Sequence, residues 1–132
     1  QTTLDRIAAG YEFSEEDFRE LYSYTGRNRE DVRGQLVFAR AFMSRGWHTA
    51  AFERYEKALR LDAGAPSDPQ TLTDLFHIVG HGDDMLFHVW PNIRRYWGHD
   101  AMAPLERALA AEEDGAARRQ LERLQSRIER LE

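Results

Sequence analysis

Apolar side chains along this chain recur at intervals of three and four, the period of one face of an α-helix. Phe18, Leu21 and Tyr22 make one such set, Phe52, Tyr55, Ala58 and Leu59 a second, and Leu121, Leu124, Ile128 and Leu131 a third. No alternating run of apolar and polar residues is long enough to make a strand. The punctuation between the sets predicts about eight helices. Thr3 starts a short one that Gly10 closes. Ser14, ahead of Glu15, Glu16 and Asp17, places a hydroxyl and three carboxylates where the free amides of a helix start need acceptors. That helix should reach Thr25, with Gly26 as its left-handed stop. Asn28 then caps a third helix running to Arg45, and beyond Gly46 a fourth covers Thr49 to Leu61.

Residues 62–67 read as a connector. Asp68-Pro69 opens a fifth helix, because proline at the first helical position forfeits no hydrogen bond, and Gly80 should end it. A tight turn over Gly80-His81-Gly82 leads to a sixth helix that Asp83 caps and that reaches Trp97, with a kink or break expected near Val89-Trp90 ahead of Pro91. Asp100 caps a seventh helix over 101–112, and the eighth follows Gly115. The fold class is therefore all-α: antiparallel helical hairpins forming a bundle or short solenoid of about seven or eight helices. One domain is expected, with N-terminal helices over 3–25, hairpins over 28–62 and 68–97, and capping helices over 100–131.

Composition narrows the function classes. The chain has 132 residues, is 42% hydrophobic and 31% charged, and carries a net charge of −5. That charge argues against a general affinity for nucleic acid or anionic lipid. Without cysteine there is no disulfide, thiolate metal site or cysteine nucleophile. The longest apolar stretch, Leu36 to Met43, is interrupted by Arg40 and is far too short to span a bilayer, so no membrane insertion is expected. Lys57 is the one lysine among the basic residues. The start at Gln1-Thr2-Thr3, without an initiator methionine, points to a piece of a longer or processed protein.

The segment from Val32 to Asp62 resembles a tetratricopeptide repeat, a pair of antiparallel helices in about 34 residues. Phe38 and Ala39 stand where that family places a large residue beside a small one, and Phe42 where an aromatic is usual. Gly46 supplies the turn; Ala51, Tyr55 and Ala58 take the small, aromatic and small positions, and Ala58-Leu59-Arg60-Leu61-Asp62 matches the closing run. Gln35 and Ala63 depart from the pattern, where an aromatic and a proline are common. The wider layout is loosely similar to helical regions appended to bacterial signalling proteins such as Ser/Thr kinases, although no kinase phosphate-binding or catalytic-loop motif is present.

The resemblance implies a concave surface lined by the first helix of the pair, here through Arg33, Leu36, Arg40 and Met43, which step by three or four and make one stripe. The carboxylate-clamping members of that family prefer lysine and asparagine where this chain has Leu36 and Arg40. The expected ligand is therefore a peptide or helix with an acidic and an apolar residue rather than an acidic chaperone tail. This makes the chain a non-catalytic protein–protein interaction module without a cofactor.

Two other readings rest on different residues. His77, His81 and Asp84 could hold a metal in an enzyme or sensor, but the predicted turn at His81 and the isoleucine after His77 weaken that assignment. The Leu121, Leu124, Ile128 and Leu131 seam could pair two copies in a structural homodimer, unless it caps the fold internally. The aromatic group Phe87, Trp90, Tyr96 and Trp97 is expected to pack in the core, with Arg94 and Arg95 solvated or ion-paired. No serine nucleophile, phosphate loop or catalytic carboxylate pair emerges.

Overall fold

The computed structural model describes residues 13–62 and 68–131. Among the described residues there are seven α-helices and no strand. The expected helix from Thr3 and most of the connector after Asp62 lie outside them. The chain divides into two compact units, residues 1–62 and 63–132.

In the first unit, helix α1 spans Glu15–Arg27, α2 Val32–Ser44 and α3 His48–Leu61. Ser14 and Asp17 make a reciprocal capping box at the start of α1, with Asp17 N–H donating to Ser14 Oγ at 3.2 Å and Ser14 N–H to Asp17 Oδ2 at 2.8 Å. Its end differs from expectation. Gly26 stays helical, and Asn28 closes α1 because both its backbone N–H and its side-chain amide donate to the Tyr24 carbonyl, each at 2.9 Å. The cap of α2 is instead Asp31, whose carboxylate accepts from Gly34 N–H at 3.3 Å.

Asp31 also accepts the Tyr24 hydroxyl, so one carboxylate fastens α1 to the start of α2. That hydrogen bond is the main cause holding the Tyr24 phenol above its ordinary pKa, aided by burial and the Asp31 charge and opposed by Arg33. Gly34 lets the ring lie flat: a β-carbon there would stand 3.0 Å from Tyr24 Cε1.

Helices α2 and α3 pack against each other across a three-residue turn, Arg45 to Trp47, and so run antiparallel. Gly46 in that turn has φ +73°, a conformation that costs any side-chain-bearing residue. Ala39, Ala51 and Ala58 are fully buried, with Phe38 and Tyr55 buried between them. Small residues bring helix axes together and large ones fill the remaining space, the usual route to close-packed interiors. Phe38 and Phe42 stack at 4.5 Å, and Phe18 of α1 closes on Phe42 at 5.6 Å. Gln35 is fully buried, and its side-chain oxygen accepts from Arg54 Nη1 of α3 at 3.2 Å.

In the second unit, α4 spans Pro69–His81, α5 Met85–Tyr96, α6 Met102–Ala111 and α7 Gly115–Glu129, with a 3₁₀ turn at Gly98–Ala101. Asp68 and Pro69 begin α4 as expected, but the helix does not stop at Gly80. Gly80 is needed elsewhere, since a β-carbon on it would stand 3.2 Å from the Ala117 β-carbon of α7. This glycine permits a helix crossing rather than a turn.

The residue ahead of helix α5 is Asp84, not Asp83; it is left-handed, φ 53° and ψ 27°, and its side chain makes no capping hydrogen bond. The helix continues through Pro91 without a break. Pro91 and Phe87, the residue whose carbonyl loses its partner, are both exposed, so water can take up the orphaned acceptor. Asp114, one residue ahead of the predicted Gly115 start, caps α7 by accepting from Ala116 and Ala117 N–H at 2.8 and 3.1 Å. Those two bonds, the one from Ala117 foremost, hold its carboxyl below the usual range.

The core of this unit gathers Leu75 and Ile78 of α4, Val89 and Ile93 of α5, Leu105 of α6, and Leu124 and Ile128 of α7, all fully buried. Leu121, at 3% exposure, joins them. The seam considered as a dimer surface is thus spent within the unit, with Leu131 alone half-buried.

Candidate interaction site

Helix α2 sorts its residues sharply. Gln35, Val37, Phe38, Ala39, Ala41 and Phe42 are buried, whereas Arg33 is exposed and Leu36, Arg40 and Met43 are half-buried. The four predicted groove residues therefore lie along the accessible side of one helix, about 15 Å from end to end at 1.5 Å per residue. Two guanidinium groups alternate with a branched aliphatic chain and a thioether. Such a stripe can accept carboxylates and cover apolar surface at once.

At the end of the same hairpin, an aromatic group meets solvent. Trp47 is 52% exposed and packs on Phe18 and Phe42 at ring distances of 5.6 and 5.8 Å; Tyr22 is 55% exposed and meets Phe38 edge-on at 4.7 Å. The Arg45 guanidinium lies 5.2 Å from the Phe18 ring centre and donates to the Phe13 carbonyl at 2.7 Å. Tyr22 therefore does not share the burial expected from its place beside Phe18 and Leu21.

The histidine pair is brought together, though not in the way expected. Because α4 includes His81, His77 and His81 share one helix face and their rings stack at 4.3 Å, where a turn at His81 had been predicted. His81 Nε2 lies 3.1 Å from Glu112 Oε1, linking α4 to the end of α6. Burial, and next the neighbouring His81, push the His77 pKa below its ordinary value, against the opposing pull of Glu112 and Asp74. Among the described residues no group of three or more His, Asp or Glu side chains is placed to hold a metal ion, and Asp84 does not complete one.

The aromatic stripe of α5 is not core. Phe87 is 75% exposed, Trp90, Tyr96 and Trp97 are half-buried, and Arg94 and Arg95 are exposed. Ile93, Val89 and Asn92 occupy the buried face instead. The group shares a period with the true core positions of α5, and periodicity alone does not say which of two apolar faces turns inward.

Trp90 and Arg94 form one wall of an open groove of about 610 Å³, with Arg127, Arg130 and Leu131 of the C-terminal segment as the other. The pattern that marks this groove in the sequence is Arg123, Arg127 and Arg130, three cations at helical spacing with no acid between them on that face.

No family model, curated protein or solved structure matches this chain. Among the described residues no helix is long and apolar enough to cross a membrane.

Proposed function

We propose that this chain is a non-catalytic helical interaction module that holds a partner segment along Arg33, Leu36, Arg40 and Met43. The observation that carries this reading is the division of α2: one side is spent on the hairpin, and the other presents a continuous cationic and apolar stripe. The resemblance of residues 32–62 to a tetratricopeptide hairpin supports it, as does the loose likeness of the layout to helical regions appended to signalling proteins. The ligand that suits the stripe is a peptide or helix pairing an acidic side chain with an apolar one.

Selection of a random peptide library on the purified chain tests this. Enriched sequences should combine Asp or Glu with Leu, Ile or Phe. In fluorescence anisotropy, Arg40→Glu should weaken their binding about ten-fold or more, by turning attraction into repulsion within an otherwise intact fold. Undiminished affinity in Arg40→Glu, with circular dichroism showing a folded helix bundle, rejects the stripe as the site.

A further inference from the structure

We infer that the α5–α7 face of the second unit is a separate docking groove for an acidic amphipathic helix. Arg123 and Arg127 of α7, with Arg130 just past its end, line this groove, and Arg94 faces it from α5. All four are exposed, and among the described residues none of them makes an ion pair or hydrogen bond. Arg123 and Arg127 stand four residues apart and Arg127 and Arg130 three apart, spacings at which like charges repel along a helix. The surrounding chain carries a net charge of −5, so this unneutralised strip runs against the overall balance. Asp84, at the far end, is the one carboxylate in its lining.

The rest of the lining is mixed, with His88, His99, Gln120 and Ser126 beside the apolar Trp90 and Leu131. Phe87, at 75% exposure, and the half-buried Trp90 and Leu131 supply its apolar surface. An exposed aromatic next to unpaired arginines offers both an anchor for an apolar side chain and planar donors for carboxylates. The cations on α7 are one helical turn apart, about 5 Å, which is also the spacing of acidic residues on one face of a helix. A short acidic helix keeps its charges within this strip. A nucleic acid strand would carry phosphates beyond it into the negative field of the remaining surface, which disfavours that polyanion.

The test uses a fluorescein-labelled, helix-forming peptide of glutamate, alanine and leucine, the same peptide with lysine for glutamate, and a single-stranded oligothymidylate of equal charge. The acidic peptide should bind saturably and weaken as salt is raised, while the lysine peptide does not bind. The pair Arg123→Gln and Arg127→Gln should lower affinity about ten-fold or more. Arg94→Gln, on the opposite wall, gives a second reading if the double variant does not fold. Equal affinity in the glutamine variants, equal binding of the lysine peptide, or tighter binding of the oligonucleotide overturns the inference. Loss of binding through Arg40→Glu alone assigns the peptide to the α2 stripe and overturns it as well.

Discussion

Arg54 crosses the first hairpin to donate from Nη1 to Gln35 Oε1 at 3.2 Å, while its guanidinium lies 4.7 Å from the Phe38 ring centre. Gln35 departs from the tetratricopeptide pattern, and this contact explains how a fully buried amide is tolerated there: its oxygen is satisfied by α3 and its nitrogen by the Arg29 carbonyl at 3.4 Å. Arg54→Ala should destabilise the chain by about 1–3 kcal/mol, since it strands a buried acceptor. The companion variant Gln35→Leu with Arg54→Leu should recover much of that loss, and thermal melts of the two decide the matter. A larger loss in the pair than in the single variant would contradict this account.

The buried alanines set the distance between α2 and α3. Ala51→Leu and Ala58→Phe should each cost about 1–3 kcal/mol through overpacking, because both positions are fully buried. Urea unfolding gives the values. Full stability in both variants would mean that close helix approach is not what holds the hairpin.

Two glycines should respond to alanine in opposite directions. A β-carbon on either Gly26 or Gly46 meets nothing within 4 Å, so only the backbone distinguishes them. Gly26 is helical, and Gly26→Ala should stabilise by about 0.5–1 kcal/mol. Gly46 has φ +73°, and Gly46→Ala should destabilise by about 1–2 kcal/mol. Matching shifts of the same sign in calorimetry would refute the conformational assignment of Gly46.

His77 makes stability depend on pH with a definite sign. Its folded pKa lies below the ordinary 6.5, through burial first and His81 second. As pH falls through the unfolded value, the unfolded chain takes up a proton that the native state resists, so this histidine erodes stability on acidification. The erosion levels off below the folded pKa. His77→Gln should flatten the melting-temperature profile between about pH 7.5 and 5. A steeper acid loss in the variant would show that the sign is wrong.

The helical fold was legible because apolar spacing marked the helices and several carried their own start signal. Ser14, Asp68-Pro69 and the turn at Gly46 were all readable from neighbouring residues alone. Errors arose where one residue type serves two purposes. Gly26 and Gly80 are stop signals locally, yet α1 and α4 run through them, and in the second case the crossing with Ala117 needs the missing side chain. Asn28 and Asp31 both suit a helix cap, and only the geometry of their hydrogen bonds assigns them to an end and a beginning.

For the candidate sites, the stripe from Arg33 to Met43 followed from the resemblance to a tetratricopeptide hairpin, with the period of one helix putting its residues on one face. The α5–α7 groove needed two helices separated by about thirty residues, and it reversed the expected burial of Phe87.

Local chemistry along the chain was enough to determine the helices, the caps at Ser14 and Asp68 and which residues share a face, because those depend on interactions within about four positions. Tertiary packing decided the remainder: which apolar face turns inward, which glycine is a crossing, and where unpaired arginines from different helices meet. Those outcomes depend on how closely separate helices approach, a distance set by side chains far apart in sequence.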